Sequence, residues 1–140
     1  MRLCIELLGE AVAQGRPRIT TINGYPRAYD PEASRTYKAT LALLASQAMR
    51  EQKLEMTTEA VKLTVVVIHA IPKSMSKKKR LQAIDGSLRP KTKPDLDNVV
   101  KSVMDAFKSV VWRDDSQVVE LKAQKFYSDA PLIRIIAEAV

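Results

Sequence analysis

Residues 93–117 read KPDLDNVVKSVMDAFKSVVWRDDSQ, with aspartates on both sides of one predicted helix. Pro94-Asp95 is typical of a helix start, and the apolar residues that follow recur at three- and four-residue intervals, which predicts an amphipathic helix over about 96–109. The inward residues of this helix would be Val99, Val100, Val103, Phe107 and Val110. Asp95 and Asp97 therefore stand at its start, and Asp114 and Asp115 lie beyond its end.

The sequence around this helix predicts an α+β fold, with a small mixed β-sheet, two main helices and the order β-α-β-α-β-β. Alternating or β-branched segments indicate four strands, over residues 2–8, 60–71, 117–127 and 132–139. The segment 9–31 is rich in glycine and proline and is expected to be a long loop or an irregular hairpin. A helix opens at Asp30-Pro31-Glu32 and runs to about Lys53, and a shorter one is conceivable over 76–84. The apolar stripe of the longer helix is Tyr37, Leu41, Leu44, Ala48 and Met49.

Length and composition are those of one ordinary globular domain spanning residues 1–140. The chain is 46% hydrophobic and 28% charged, which excludes disordered and fibrous classes. It contains no apolar run of the roughly 18 residues that a membrane span requires, and its start lacks the features of a signal peptide. Cys4 is the lone cysteine, so neither an intramolecular disulfide nor a disulfide-linked partner is expected. We expect a cytoplasmic protein without a membrane partner, with Cys4 as a small buried strand residue.

The positive charge is concentrated in two stretches. Residues 72–93 carry eight basic residues and one acid, a net +7 that equals the net charge of the whole chain. These bases are Lys73, Lys77, Lys78, Lys79, Arg80, Arg89, Lys91 and Lys93. The second stretch interleaves Arg16, Arg18, Arg27, Arg35 and Lys38 with Tyr25, Tyr29 and Tyr37. Such concentration indicates a polyanion partner, although a solvated basic loop is the alternative for either stretch alone.

The aspartates have a structural and a functional interpretation. As structural residues, Asp95 or Asp97 would cap the helix, and Asp114 and Asp115 would form the turn before the next strand. As functional residues, they would hold a metal ion, because clustered carboxylates in a basic protein would otherwise repel one another and a nucleic acid. Asp97, Lys101 and Asp105 share one helix face at spacings of four, which fits either an ion-pair ladder or a cation beside a metal site. The sequence permits the four acids to converge and leaves the question open.

The residue types favour magnesium if a metal is bound. Mg²⁺ prefers oxygen ligands and commonly takes one or two carboxylates together with water and phosphate oxygens. Zinc would call for cysteine or histidine, and the only histidine, His69, near the end of the strand over 60–71, is expected to be a strand side chain with one hydrogen bond. Such an ion activates water and neutralises charge on a phosphodiester. The pattern predicts a metal-dependent nuclease, in which Mn²⁺ could replace Mg²⁺.

Three segments of the sequence resemble the RusA-like endodeoxyribonucleases, which are Holliday junction resolvases common in prophages. They are KPDLDNVVK at 93–101, MDAF at 104–107 and VWRDDSQV at 111–118. An Asp-x-Asp-Asn motif, with a lysine four residues after its second aspartate and a Trp-x-Asp-Asp-x-Gln motif about 20 residues later, is a specific combination. The likeness extends more loosely to the first strand, the loop at 16–29 and the basic segment before Pro94.

The resemblance implies a small α+β homodimer that binds four-way DNA junctions and nicks paired strands symmetrically with Mg²⁺. It implies that Asp95, Asp97 and Asp115 are metal-binding catalytic acids, with Asp114 as an open fourth candidate, and that Lys101 is the catalytic lysine. The DNA-binding residues would be Arg16, Arg18 and Arg27 together with the eight bases of 72–93. A two-fold dimer would match the two-fold symmetry of a junction.

Two other classes of function stay open. In a non-catalytic DNA-binding accessory protein of recombination, the aspartates would only cap and brace helices. A nuclease acting on branched DNA other than four-way junctions would use the same residues. An Asp-x-Asp metal–nucleotide site for glycosyl transfer is a weaker alternative, because the chain has no glycine-rich phosphate loop.

Overall fold

The computed structural model describes residues 1–29 and 31–140. The strands are β1 (Arg2–Leu8), β2 (Arg18–Ile22), β3 (Tyr25–Tyr29), β4 (Val61–Ala70), β5 (Val118–Ser128) and β6 (Leu132–Ala139). The helices are α1 (Glu32–Glu51), α2 (Lys77–Asp85) and α3 (Leu96–Phe107), and a single 3₁₀ turn spans Asp115–Gln117. Four strands form one sheet in the order β1-β6-β4-β5, and β2 pairs with β3 in a separate hairpin.

The main sheet is mixed, as the sequence predicts. β6 pairs antiparallel with both β1 and β4, whereas β5 runs parallel to β4. The α+β class is therefore confirmed. The predicted order was incomplete, because the glycine- and proline-rich segment contains the β2–β3 hairpin and the basic segment contains α2. Ser76 caps α2 by accepting a hydrogen bond from the Lys79 N–H, and Gly86 ends it in the left-handed conformation.

The helices α1 and α3 cover one face of the sheet. Alternate residues of β1, β4 and β6 point into this core, among them Leu3, Leu63 and Ile135, each at most 1% exposed. Among the described residues, no helix packs across the centre of the opposite face, so the alternate strand residues that point to that face are more accessible. Cys4 lies on this second face and is exposed, and the expectation that it is buried was wrong. The alternation that buries Leu3 and Ile5 turns Cys4 outward.

The two long helices are slightly shorter than the sequence predicts. The N-cap position of α1 is Pro31, and the helix ends at Glu51; the predicted cap Asp30 lies outside the described residues. Helix α3 ends at Phe107 rather than Ser109, because the chain turns at Ser109, whose φ of 66° is left-handed. The Val110 and Val111 N–H groups both donate to the Phe107 carbonyl in this turn.

Helix α3 runs antiparallel to β5. At its start, the Lys125 side chain near the end of β5 donates to the carbonyl of Thr92. At its end, the turn after Phe107 leads directly to the beginning of β5, where Val118 is paired with Val61. The residues before α3 and the residues before β5 therefore lie at opposite ends of one helix.

Candidate functional site

Two of the four aspartates stand at the start of α3. Asp95 occupies the N-cap position, and its side chain makes no capping hydrogen bond. Asp97 is in the first turn, and both residues are exposed. Neither carboxylate forms an ion pair or side-chain hydrogen bond within the described part of the chain. The capping interpretation of Asp95 is thus not supported by its side-chain contacts, and both carboxylates are accessible to a ligand.

The ion-pair ladder along α3 does not form. Asp105 pairs instead with Lys38 of α1, with Nζ and Oδ2 3.4 Å apart. Lys101 is exposed and has no carboxylate partner among the residues that the structure describes. This ammonium group, one turn after Asp97, is therefore available for an anionic ligand.

Lys101 opens onto a groove beside α3. The groove has a volume of about 500 Å³ and is lined by Gln14, Gly15, Arg16, Pro17, Asn98, Lys101 and Asp105. The loop that forms its other wall is attached to the helix at two points: the Gln14 N–H donates to the Asn98 carbonyl at 3.0 Å, and the Ser102 hydroxyl donates to the Val12 carbonyl at 3.2 Å. These bonds hold Arg16 on the same groove as Lys101.

Gly15 is needed for this loop to approach α1. A Cβ at this position would lie 2.8 Å from Pro31 Cγ and 2.9 Å from Ser34 Oγ. The Gly15 N–H donates to that Ser34 hydroxyl at 2.9 Å, and the hydroxyl in turn donates to the Ala13 carbonyl. The sequence indicated only a glycine in a loop, and nothing in it pointed to this contact across 19 residues.

Asp115 is held by the tryptophan three residues before it. Trp112 is fully buried against Phe107, with ring centroids 5.6 Å apart. Its indole Nε1 donates to Asp115 Oδ1 at 2.9 Å. The second carboxylate oxygen of Asp115 has no described partner, so the tryptophan fixes the side chain and leaves this oxygen available.

Asp114 shapes the turn that precedes β5. Its carboxylate accepts from the Ser116 N–H at 3.3 Å, and Gln117 completes a capping box by accepting from the Asp114 N–H at 2.9 Å. The structural interpretation therefore accounts for Asp114 and for its position in the motif.

Gln117, the last residue of the Trp-x-Asp-Asp-x-Gln motif, has a structural role that the motif alone did not indicate. Its Oε1 accepts from the N–H groups of Arg113 and Asp114, each at 2.9 Å. Its Nε2 donates to the carbonyls of Thr57 and Glu59 at 2.9 and 3.0 Å. The amide thus joins the Asp114–Asp115 turn to the chain that enters β4.

The four aspartates do not converge within one chain. Asp95 and Asp97 lie at the start of α3, and Asp115 lies past its end, bonded to Trp112. Among the residues that the structure describes, no group of three or more His, Cys, Asp and Glu is arranged to hold a metal ion. Asp95 and Asp97 still fit Mg²⁺, which often takes only one or two carboxylates and completes its shell with water and phosphate.

The basic residues of 72–93 divide into two groups. The arginines have structural partners: Arg80 donates to the carbonyls of Pro72 and Lys73, and Arg89 donates to the Lys125 carbonyl and lies 3.7 Å from the centroid of the Phe126 ring. The lysines are exposed and comprise Lys73, Lys77, Lys78, Lys79, Lys91 and Lys93. The free positive charge of this segment is therefore carried mainly by lysine.

The second basic stretch forms the exposed β2–β3 hairpin. Every residue of both strands is exposed, including Arg18 and Arg27. Tyr25 and Tyr29, at 73% and 42% exposed, accompany them on the hairpin. Exposed aromatic rings beside arginines are suited to stacking on bases and to phosphate contacts.

His69 is buried near the end of β4. Its Nδ1 lies 3.8 Å from the Glu10 carboxylate, and its buried Nε2 has no hydrogen-bond partner within the described residues. Burial lowers the pKa of His69 below its usual value, and the nearby Lys125 ammonium lowers it further, against a smaller opposing effect of Glu10. The imidazole is thus a neutral group next to the end of the sheet.

No helix in the described ranges is long and apolar enough to cross a membrane.

Comparison with known proteins gives two matches that cover nearly the whole chain. The family model described as "Endodeoxyribonuclease RusA" matches residues 9–138. The chain is also 45% identical over 141 residues to the uncharacterized protein YqaN of Bacillus subtilis (strain 168), an alignment that covers 98% of this chain and 97% of YqaN. The family match includes α3, the Trp112–Asp115 turn and both basic stretches.

Proposed function

Because this chain belongs to the RusA endodeoxyribonuclease family, we propose that it is a Mg²⁺-dependent endonuclease that resolves four-way DNA junctions by paired, symmetric nicks. The activity would serve DNA recombination and repair. The observation that carries the proposal is the start of α3, where the accessible carboxylates of Asp95 and Asp97 lie within two turns of Lys101, a lysine without a carboxylate partner among the described residues.

The metal ligands in this proposal are Asp95 and Asp97, with Asp115 as the third acid. Bound Mg²⁺ or Mn²⁺ supplies an activated water and neutralises charge on the phosphodiester. Asp95 and Asp97 would bind the ion through carboxylate oxygens that make no side-chain hydrogen bond within the described residues. Asp114 is left out of the ligand set, because its carboxylate has a structural role as the N-cap of the Asp115–Gln117 turn.

Lys101 binds and orients the scissile phosphate. Its ammonium group is on the face of α3 that borders the 500 Å³ groove, and Arg16 lies on the same groove. Two cations on one groove favour a phosphate there by direct Coulomb attraction and charge-assisted hydrogen bonds. Lys38 neutralises Asp105, which would otherwise repel that phosphate from the groove.

The exposed lysines and the hairpin bind the DNA arms. Phosphate contacts supply most of the affinity in such interfaces and carry little sequence information. The lysines of α2 and the arginines of the β2–β3 hairpin lie on separate elements, so they can hold separate arms of a branched substrate. Tyr25 and Tyr29 are placed on the hairpin to stack on an unpaired base at the branch point.

The direct test is nicking of a synthetic four-way junction by the wild-type protein with MgCl₂ and then with EDTA. Asp97→Asn should abolish nicking and keep junction binding, because it removes a metal ligand and a charge that repels phosphate. Asp105→Asn is the matched control on the same helix, and it should keep activity. Binding without nicking by the wild type at any Mg²⁺ or Mn²⁺ concentration would instead indicate the non-catalytic accessory protein.

A further inference from the structure

The chain reaches the start of α3 along the edge of β5. Within the described residues, β5 is the last strand of the main sheet and pairs there with β4 alone. The segment between α2 and α3 contacts two successive residues near the end of this strand, Lys125 and Phe126. The entry to the proposed metal site is therefore built against the second half of β5.

Lys125 and Phe126 point to opposite faces of the sheet, as successive strand residues do. Lys125 is paired with Val67, which is buried on the face that α1 and α3 cover. Phe126 is paired with Ile68, on the other face. A segment that contacts both side chains must therefore pass around the edge of the sheet.

The segment before α3 makes this crossing. The Arg89 guanidinium lies over the Phe126 ring, 3.7 Å from its centroid, and its Nε donates to the Lys125 carbonyl. Three residues later, on the helix-covered face, the Thr92 carbonyl accepts a hydrogen bond from the Lys125 ammonium group. Pro90, between the two contacts, is buried. We refer to these contacts as the edge clasp, formed by Arg89, Thr92, Lys125 and Phe126.

The edge clasp restrains the backbone that enters α3. Both of its hydrogen bonds have charged donors, which makes them stronger than bonds between neutral groups, and a guanidinium over an aromatic ring adds a cation–π attraction. Thr92 is three residues before Asp95, a stretch of at most about 11 Å. On the other side of the helix start, the Gln14 N–H holds the Asn98 carbonyl. The start of α3 is thus held from two sides.

The carboxylates at this helix start have no restraint of their own. Neither Asp95 nor Asp97 makes a side-chain hydrogen bond or ion pair within the described residues. Their oxygens are therefore placed by the backbone that carries them. Because Mg²⁺ demands near-ideal octahedral geometry at about 2.0–2.1 Å, a displaced backbone weakens its binding.

Resting on the proposed function, we infer that Arg89 and Lys125 are positioning residues for the metal ligands. By fixing the entry to α3, they hold Asp95 and Asp97 in the geometry that binds Mg²⁺. Lys125 acts through the Thr92 carbonyl, and Arg89 acts on the same strand from the other face of the sheet. Arg89 thus affects metal affinity rather than DNA affinity, although it belongs to a basic stretch that predicts DNA binding.

The Mg²⁺ dependence of junction nicking tests Lys125. Lys125→Met removes the donor to Thr92, so the Mg²⁺ concentration for half-maximal nicking should rise about tenfold. Lys122→Met is the matched control, since Lys122 is an exposed lysine of β5 whose side chain makes no hydrogen bond or ion pair among the described residues. Junction affinity should be the same in the two variants.

A conservative variant separates positioning from general damage to the fold. Lys125→Arg keeps a charged donor at the same place and should restore most of the wild-type Mg²⁺ dependence. If Lys125→Met required no more Mg²⁺ than Lys122→Met, or if Lys125→Arg were as impaired as Lys125→Met, Lys125 would not be a positioning residue.

Arg89→Met distinguishes the two roles of this arginine. As part of the edge clasp, Arg89 should be needed for Mg²⁺ affinity, so the variant should require more Mg²⁺ and keep the wild-type slope of log junction affinity against log salt. As a phosphate contact, its loss would reduce that slope by up to about 0.9 and leave the Mg²⁺ requirement unchanged. The second result would overturn the assignment of Arg89.

Hydrogen exchange of the metal-free protein tests the edge clasp without activity. Backbone amides over 99–101, in the first hydrogen-bonded turn of α3, should exchange faster in Lys125→Met than in Lys122→Met. Amides in the middle of α1 should exchange alike in both, as they do when both variants are folded. Equal exchange at the start of α3 would contradict the clasp.

The outcomes separate this inference from the proposed function. If the wild type nicks junctions and Lys125→Met shows the wild-type Mg²⁺ dependence, the positioning role is wrong and the proposed function stands. If the folded wild type does not nick at all, the proposed function fails, and the exchange experiment still decides whether the edge clasp holds the start of α3.

Discussion

Trp112 and Asp115 are joined by a hydrogen bond of 2.9 Å, in which the buried indole Nε1 donates to a carboxylate oxygen. The bond fixes an acid on a short 3₁₀ turn to the largest of the fully buried side chains of the core. It links the stability of the fold to the position of one proposed metal ligand. It also explains why tryptophan, rather than another large apolar residue, stands three positions before Asp115.

Trp112→Phe should lower both stability and nicking. Losing the indole donor and part of the ring volume should cost about 1–3 kcal/mol of unfolding free energy. The rate of nicking of a four-way junction should fall about tenfold or more even under conditions in which the variant is fully folded, because Asp115 is no longer held in place. Urea unfolding and initial nicking rates measure the two effects.

Phe107→Leu is the comparison variant for this prediction. It disturbs packing against the same indole ring and keeps the Nε1 donor. It should destabilise the protein by a comparable amount and retain most of the nicking rate. Equal losses of activity in both variants would assign Trp112 a packing role alone.

Gln117→Ala should destabilise the turn that carries Asp115. The substitution removes the partners of two N–H groups and two carbonyls, and should cost about 1–3 kcal/mol. Gln117→Glu keeps the acceptor but places a carboxylate oxygen against the carbonyls of Thr57 and Glu59, so its cost should be at least as large. Urea midpoints for the two variants test this expectation, and Gln52→Ala at the exposed end of α1 is the control. Urea midpoints equal to that of the control would show that the Gln117 amide does not stabilise this turn.

His69 should make the protein less stable as the pH falls. Its pKa is lowered in the folded chain by burial and by Lys125, so the unfolded chain binds the proton more readily. The stabilising effect is complete above the unfolded pKa of about 6.5 and is lost as the pH falls through that value toward the lower folded one. Unfolding free energies measured between pH 8 and pH 5 should show this decrease.

His69→Gln isolates the contribution of this one group. The variant cannot take up a proton at that position, so the difference in stability between wild type and variant should change with pH in the same interval. A difference in stability between wild type and variant that is constant from pH 8 to pH 5 would show that His69 has the same pKa in the folded and unfolded chains.

The lysines of α2 should contribute to DNA affinity through phosphates. Replacing Lys77, Lys78 and Lys79 with alanine should weaken junction binding and reduce the slope of log affinity against log salt by up to about 0.9 for each lysine that contacts a phosphate. Fluorescence anisotropy with a labelled junction at several salt concentrations measures the slope.

A control triple removes the same charge from other surfaces. Arg2 and Arg134 form ion pairs with glutamates on the face of the sheet without α1 and α3, and Arg50 is in the last turn of α1. Replacing these three with alanine should leave the salt slope nearly unchanged. Similar slopes for the two triples would mean that α2 acts only through net charge.

The sequence predicted the elements better than their relations to one another. The strand over 2–8 and the final strand over 132–139 match the structure, because strict alternation marks a strand that is buried on one face. The same alternation predicts that Cys4 points away from the core, but the general preference of cysteine for the interior led to the opposite expectation. Local pattern was the more reliable guide at that residue.

Sequence patterns did not predict the contacts between distant segments. Spacing left Asp97, Lys101 and Asp105 open to an ion-pair ladder or to a cation beside a metal site, and in the fold Asp105 pairs instead with Lys38 of α1. The left-handed turn at Ser109 placed Asp115 at the far end of α3, where a one-dimensional spacing could not locate it. The sequence identified which residues are chemically suited to the site, and only the fold shows that they are divided between two places.

The most direct measurement of the proposed function is a map of the cuts made in a fixed four-way junction, with each strand labelled in turn, beside a linear duplex of the same sequence. The account predicts Mg²⁺-dependent nicks at symmetric positions in two opposing strands near the crossover, and no cuts in the duplex. Cuts in the duplex at equal rates, or no cuts in the junction by the folded wild-type protein, would contradict it.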